Sequence, residues 1–340
     1  FEPAIKYASD GFPISSRVHK DYAEEIEFLK LDKNTASNYL IDGKLPNVGK
    51  KIYLPQLSYT LKQFAEGGRE AFYTGEIADN MVKYLRSKGG LHTLDDFANA
   101  KGEYVNPIFS QFRNHTVYQC PPNGQGVIAL LLLNMIKNDQ IDPNGPLTTE
   151  RIHLEIELCR QAYHIRQKYL CDPIFNSVPT NMILSNDFAT NLRRSVDPAK
   201  AACFEENKLV KSHKDTVYIT VVDKDRNVCS FINTLFWGWG SGLTDPNSGV
   251  VFTNRAESFS LDPNHPNKIE GGKRPINTII PSMLAKDGRI VLSFGVMGGD
   301  YQPFGQMQFL TRYFDFKLDL QEAMDFPRFM ADPLTGNVEM

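Results

Sequence analysis

Cysteine is scarce in this sequence, and its copies follow no pattern typical of a cysteine-based site. The 340 residues include five widely separated cysteines, none of them spaced C-x-x-C. An odd number at such spacing indicates neither a zinc site nor a disulfide framework, so we expect buried, unreactive thiols. The seven histidines show no pair at i and i+4 that would suggest metal ligands. We therefore predict no metal and no other cofactor.

Long apolar runs and surplus positive charge are also missing. The longest candidate, 127–136, is interrupted by Asn134 and falls short of the ~18 residues that span a bilayer, so we predict no membrane span. Lysine and arginine total 37 against 40 aspartates and glutamates, a formal charge of −3. Without a basic surplus the chain lacks the field that attracts a phosphate backbone, which argues against nucleic acid as a partner.

What is present indicates a globular protein with a large core. Hydrophobic residues make up 41% and charged residues 23% of the sequence, close to globular averages. A chain of this length can bury about three quarters of its surface without help from disulfides or metals. Length alone suggests about two domains.

The pattern of apolar residues changes near residue 205. Before it, apolar spacings of three and four predict helices, joined by one β-rich pair at 103–109 and 112–120. The predicted helices are 22–31, 57–64, 76–88, 127–137 and 148–170. After it, strands are predicted in two hairpins and one short segment, followed by two helices: 216–223 with 228–235, 279–285 with 290–294, 250–253, 306–314 and 320–326. Helices layered on antiparallel hairpins predict an α+β fold.

Most familiar catalytic signatures are absent. The sequence has no G-x-S-x-G, no H-E-x-x-H and no P-loop. The glycines at 238, 240 and 242 do not open a helix, so we do not expect nucleotide binding there. Gly298-Gly299 directly follows a predicted strand. From the residues alone this pair is either a simple turn or a source of two N–H donors for an oxyanion.

One segment carries a family resemblance. Residues 215–223, Asp-Thr-Val-Tyr-Ile-Thr-Val-Val-Asp, resemble the start of the small subunit in the γ-glutamyltranspeptidase family. The resemblance continues in order through Asn227, Thr234, 238–242, 271–275, Pro281 and Gly298-Gly299, and upstream through 3–13 and 121–126. Because these motifs span nearly the whole chain, the sequence is identified as a member of that family.

The resemblance implies a self-processing enzyme. Members are N-terminal-nucleophile hydrolases that cut their own chain before a threonine, which places the processing site at Asp215–Thr216 and makes Thr216 the nucleophile. An α-amine freed on the same residue has a pKa of about 7.7–8.0, so its neutral fraction at pH 7 can act as the base. Thr234 matches the threonine that hydrogen-bonds the nucleophile, and Gly298 and Gly299 match the oxyanion pair. On its own, Thr216 would be an ordinary residue opening a strand.

The sequence departs from its glutathione-cleaving relatives where they hold the glutamyl amino and carboxyl groups. Those relatives use an asparagine, a glutamine, an aspartate and a serine pair, and the matching positions here are Phe236, Arg255, Ser258 and Asn277-Thr278. Ser258 removes a counter-ion for a substrate ammonium, and Arg255 adds a positive charge where that ammonium would approach. This pattern is similar to a γ-glutamyltransferase-like subgroup.

Three functions stay open on this evidence. The first is hydrolysis or transfer of γ-glutamyl amides such as glutathione through a threonine acyl-enzyme. The second is an acylase for glutaryl-like amides, whose acyl group carries a carboxylate but no ammonium. The third is a catalytically silent homologue. The partners implied are a small amide substrate and the two processed subunits; periplasmic, secreted and cytoplasmic locations remain open.

The fold implied by the resemblance is an α+β four-layer α-β-β-α sandwich. Residues 1–215 are expected to be the mostly helical end of the large-subunit region and 216–340 the small-subunit region, intertwined as one domain. Both ends are short for the family, so we expect the sandwich core within 1–340 to be incomplete.

Overall fold

Two sets of segments form separate packed units in this computed structural model, which describes residues 1–202, 216–331 and 337–339. The first unit combines Phe1–Tyr104 with Trp239–Asn254, and the second combines Val105–Gly238 with Arg255–Met340. Each unit has a hydrophobic core of its own. A segment far along the chain thus belongs with the N-terminal helices.

The first unit is helical. Its helices and two short strands are α1 Glu2–Asp10, β1 Phe12–Pro13, α2 Ser16–Leu29, α3 Lys33–Tyr39, β2 Lys51–Ile52, α4 Pro55–Tyr73, α5 Glu76–Ser87 and α6 Leu94–Ala98. In its core the Trp239 ring packs edge-on against Tyr22 and Tyr39, with centroids 4.7 and 4.5 Å apart. The strand predicted at 250–253 was wrong: only an isolated bridge, Thr244 with Val251, forms there.

The second unit contains the β structure and the longest buried helices. Its elements are β3 Ile108–Phe112, β4 His115–Gln119, α7 Gly126–Ile136, α8 Thr149–Tyr169, α9 Thr180–Ile183, α10 Asn186–Arg194, β5 Val217–Val222, β6 Val228–Asn233, β7 Ser282–Lys286, β8 Arg289–Phe294, α11 Gln302–Phe314, α12 Leu320–Asp325, β9 Met330–Ala331 and β10 Val338–Glu339. Short 3₁₀ turns cover Arg255–Ser258 and Gly299–Tyr301. The mixture of helices with antiparallel sheet confirms the predicted α+β class.

A four-stranded antiparallel sheet in the order β3-β4-β7-β8 lies at the centre of this unit. Helix α7 packs against it with all eleven of its residues buried, which confirms the buried helix predicted at 127–137. The prediction for β3 and β4 was wrong in its break point: the turn lies at Arg113-Asn114, both with positive φ. The sequence placed the turn between the strands at 110–111, because Arg113 is not a residue type that indicates a left-handed turn.

The hairpin β5–β6 forms a separate two-stranded sheet next to β7 and β8. The Tyr218 hydroxyl hydrogen-bonds with Ser293 and with Ser230, at 2.8 and 3.0 Å. Ser230 Oγ also donates to the Ser282 carbonyl at 3.0 Å. These polar contacts tie the start of β5 to the central sheet. No helix within the described ranges is long and apolar enough to cross a bilayer.

Candidate active site

Thr216 and Thr234 face each other at the open end of the β5–β6 hairpin. Thr216 directly precedes β5 and Thr234 directly follows β6, and the register pairs Val217 with Asn233. One further step in that register brings the two threonines together, and Thr216 Oγ1 donates to Thr234 Oγ1 over 3.4 Å. Because O–H···O bonds are commonly about 2.5–3.0 Å long, this contact is loose. The structure therefore brings together the two hydroxyls that the sequence singled out.

Phe236 connects this threonine pair to a charged side chain. Its backbone N–H donates to Thr234 Oγ1 at 2.9 Å, which orients that oxygen from the main chain. Its φ of 84° lies in the left-handed region, an uncommon conformation for an aromatic residue. The Arg255 guanidinium carbon lies 4.2 Å from the centre of the Phe236 ring. A cation–π contact of this kind holds the guanidinium beside the loop that carries Thr234.

Arg255 is a partly buried cation at this site. Its Nη1 donates to the Thr278 hydroxyl at 2.8 Å. Burial lowers the pKa of Arg255 to about 10, although the negative charge of Asp300 acts in the opposite direction. With that pKa the guanidinium still carries its charge at pH 7. The structure thus joins two of the predicted substrate-binding residues, Arg255 and Thr278.

The other two predicted substrate-binding residues have different surroundings. Ser258 ends the 3₁₀ turn that begins at Arg255, and its carbonyl accepts a hydrogen bond from Asn267 Nδ2 at 2.6 Å. In the part of the chain that the structure describes, its buried Oγ makes no hydrogen bond. The Asn277 amide oxygen accepts the Ile279 N–H at 3.2 Å, so it shapes its own loop.

Gly298 and Gly299 form a buried turn after β8. Their φ values are +118° and +53°, which glycine adopts without the steric cost that a Cβ brings. The Gly298 carbonyl accepts the Tyr301 N–H at 2.9 Å. A Cβ placed on Gly298 would find 3.4 Å to Tyr301 Cβ, so the backbone conformation rather than space requires glycine.

Two polar residues behind this turn were missed by sequence reasoning. Gln125 is fully buried, and its Nε2 donates to the carbonyls of Thr278 and Gly299 at 2.8 and 3.0 Å. Arg166, buried in α8, donates to the Gln125 side-chain oxygen at 2.8 Å and to Asp300 at 2.6 Å. The sequence feature that could have indicated Gln125 is its position as a polar residue directly before the apolar run of α7. Its partners lie too far along the chain to be read from spacing.

The pieces of the site can support acyl transfer. A hydroxyl with a neighbouring hydroxyl, a glycine turn with backbone donors and a cation beside them are the group types that such chemistry needs. Asp215, predicted to precede the cleavage point, lies outside the described residues.

The sequence matches the family described as Gamma-glutamyltranspeptidase over residues 1–340. Among curated proteins it is 35% identical to the glutathione hydrolase-like YwrD proenzyme of Bacillus subtilis, over 97% of this chain and 62% of the relative. It is 30% identical to the oxamate amidohydrolase proenzyme of Klebsiella pneumoniae, over 98% of this chain and 62% of that protein.

A solved structure has the same fold. The crystal structure of cephalosporin acylase from Bacillus halodurans superposes with a TM-score of 0.86 at 35% identity, covering 96% of this chain and 60% of the acylase chain. The chain therefore spans about three fifths of the length of the relatives that it matches.

Proposed function

Because this chain belongs to the γ-glutamyltranspeptidase family, we propose that its protein is a self-processing amidohydrolase and acyltransferase that cleaves γ-glutamyl amides such as glutathione. The observation that carries the proposal is the Thr216–Thr234 hydroxyl contact at the end of the hairpin. Two similar proteins are called proenzymes, which supports processing of the chain before it acts.

Self-processing would hydrolyse the Asp215–Thr216 peptide bond. Water supplies the second oxygen of the new Asp215 carboxylate and a proton to the nitrogen of Thr216, which becomes a free α-amine. The two products, 1–215 and 216–340, would remain associated because the central sheet takes β3 and β4 from the first and β7 and β8 from the second. Pairing of Gln119 with Ser282 and of Val117 with Leu284 joins the two products directly.

Turnover then uses one residue as nucleophile and base. The α-amine of Thr216 accepts the proton of Oγ1 as Oγ1 forms a bond to the amide carbon of the substrate. The tetrahedral oxyanion is stabilised by N–H donors of Gly298 and Gly299. When the C–N bond breaks, the amine leaves with that proton, and an ester on Thr216 remains. Water or a second amine attacks the ester and gives up a proton to the α-amine, which passes it to Oγ1 as the ester C–O bond breaks and the acyl group is released.

Substrate binding is assigned to the side of the site that holds Arg255, Ser258, Asn277 and Thr278. Arg255 and Thr278 form a hydrogen-bonded pair whose guanidinium stays charged at pH 7. A carboxylate on the acyl group of the substrate is the chemical partner that this cation favours. The Ser258 hydroxyl can add a neutral hydrogen bond on the same 3₁₀ turn.

A second candidate function follows from the same cation. The Arg255 guanidinium attracts a substrate carboxylate and repels a substrate ammonium. An acyl group with a carboxylate but no ammonium would therefore be attracted without being repelled. This favours glutaryl-like or other carboxylate-bearing amides, and a relative named for oxamate, an amide with a carboxylate and no ammonium, agrees in kind. We therefore expect an acylase activity of this class to compete with γ-glutamyl cleavage.

Intact-mass analysis of the complete protein tests the primary proposal. Wild-type protein should give two chains, the smaller beginning at Thr216, and Thr216→Ala should remain one chain. Thr220→Ala, an exposed threonine in the same strand, is the matched control and should split normally. A new N-terminus at any other residue would contradict the mechanism. An intact wild-type chain without amidase activity would instead identify a silent homologue.

A further inference from the structure

A single buried glutamine joins the two halves of the candidate site. Gln125 immediately precedes α7 and is fully excluded from solvent. Its Nε2 donates both to the Thr278 carbonyl, on the Arg255 side, and to the Gly299 carbonyl, in the glycine turn. Its backbone N–H donates to the Asn277 carbonyl at 3.0 Å. One residue therefore sets the separation between the substrate-binding loop and the glycine turn.

The carbonyl bonds determine where the N–H groups of the turn point. A trans peptide is planar, and its C=O and N–H point in opposite directions. The Gly298 carbonyl is held by the Tyr301 N–H, which orients the N–H of Gly299. The Gly299 carbonyl is held by Gln125, which fixes the peptide that follows Gly299 and so restricts rotation of the residue that carries the second proposed donor. The direction of the backbone donors thus depends on hydrogen bonds made at the back of the turn.

Arg166 and Tyr163 extend this support to the next residue. Arg166 Nη1 donates to the Gln125 side-chain oxygen at 2.8 Å and to the Asp300 carboxylate at 2.6 Å. The guanidinium carbon of Arg166 lies 4.9 Å from the centre of the Tyr163 ring. The Tyr163 hydroxyl donates to the Asp300 carbonyl. Although burial alone would lower it, the pKa of Arg166 is raised by the adjacent Asp300 carboxylate. The charge pair is thereby retained inside the unit.

We propose that Gln125, supported by Arg166 and Tyr163, is the positioning residue for the oxyanion turn, acting through the Gly299 carbonyl. The inference rests on the proposed function, because it assigns Gly298 and Gly299 the oxyanion role. It predicts that loss of the Gln125 amide donor lowers the rate of the chemical step while leaving substrate affinity nearly intact. If Gln125 has only a structural role, its loss would lower stability without lowering kcat selectively relative to KM.

Gln125→Glu in the complete protein is the direct test. This change removes both N–H donors but keeps the oxygen that accepts from Arg166. We expect kcat to fall about 10²-fold, the size of loss that a displacement of about 1 Å can cause, with KM changed less than about threefold. Gln306→Glu is the matched control: Gln306 is equally buried, donates to the Ile280 carbonyl and accepts from Gln119, without a hydrogen bond to the glycine turn.

The control should keep kcat even if its melting temperature falls as much as that of Gln125→Glu. Equal losses of kcat in the two variants, or a rise in KM alone for Gln125→Glu, would overturn the proposal. If Gln125→Glu does not fold, Tyr163→Phe decides: it removes one hydroxyl from the same support, and its kcat should fall several-fold at unchanged KM. Failure of wild type to process at Thr216 would reject the proposed function instead, independently of Gln125.

Discussion

The glycine turn and the β5–β6 hairpin, to which we assign the oxyanion donors and the nucleophile, differ in how deeply they are buried. The turn is buried, and its carbonyls are fastened by Tyr301, Gln125 and Tyr163. The hairpin exposes much of its apolar side: Val217, Ile219, Val221, Val222 and Phe231 are each at least 46% exposed. The glycine turn is therefore enclosed, whereas the apolar side of the hairpin is open in the part of the protein that the structure describes.

The difference in burial predicts where small substitutions should affect activity. Several hydrogen bonds fix the backbone conformation of the turn, so only a substitution that changes the φ or ψ angles there should move its N–H groups. Tyr218 joins the hairpin to the central sheet: its hydroxyl hydrogen-bonds with Ser293, and its ring lies against Gly295, directly after β8. The contact between the Thr216 and Thr234 hydroxyls, at 3.4 Å, is long for an O–H···O hydrogen bond.

Breaking the turn should have the largest effect. Gly298→Ala forces a side chain onto a residue with φ +118°, so the backbone must rotate and the donors turn away. We expect kcat to fall about 10²-fold in correctly processed protein. Gly288→Ala is the control, since Gly288 also has a positive φ but lies in the β7–β8 turn with open space around it. If both variants retain full turnover, the glycine pair is only a turn.

Replacing Arg255, the cation beside the hairpin, should alter which substrate is preferred rather than abolish activity. A like-charge contact near a partly buried site costs ~1–3 kcal/mol, which is roughly 5- to 150-fold in kcat/KM against a substrate ammonium. Arg255→Gln with Ser258→Asp should therefore raise the ratio of γ-glutamyl anilide cleavage to glutaryl anilide cleavage by a factor in that range.

The two substitutions lie on one 3₁₀ turn, so their effects need not add and should be measured as a double-mutant cycle. Arg289→Gln, which removes a positive charge from an exposed strand end, is the control and should leave the ratio of the two activities unchanged. Wild type that cleaves γ-glutamyl anilide far faster than glutaryl anilide would show that Arg255 does not select against the ammonium.

Shifting the hairpin should give the smallest of these effects. A Cβ on Gly295 would overlap the Tyr218 ring, so Gly295→Ala must displace the strand that begins beside Thr216. We expect turnover to fall about tenfold and self-processing to slow, because both reactions use the position of Thr216. Gly271→Ala, which adds a methyl group in open space, should change neither rate. Unchanged processing in Gly295→Ala would mean that Tyr218 does not position the nucleophile.

Local patterns predicted much of this fold. Two β-rich runs on either side of the 224–227 turn predicted β5 and β6, and the hairpin register places Thr216 opposite Thr234. The continuous apolar run predicted the buried helix α7. These features could be read from sequence because period and turn chemistry act over short spacings.

Long-range polar contacts could not be predicted in this way. Gln125 hydrogen-bonds to Gly299 across 174 positions, and the residues around each give no sequence pattern that predicts the contact. The roles of Arg255 and Ser258 came from family resemblance, since an isolated arginine on a loop is usually a surface charge. The structure adds that Arg255 packs on Phe236 and bonds to Thr278.

We expect Thr216 to carry the acyl group of the substrate during turnover. Complete, processed protein should be mixed with glutaryl or γ-glutamyl anilide, quenched in acid within the first turnover and digested, and the peptide that begins at Thr216 should be weighed. We predict that this peptide gains the mass of the acyl group, as an ester on the threonine. Anilide cleavage with the acyl mass on a different residue, or with no acylated peptide during a measured burst of aniline, would contradict the account.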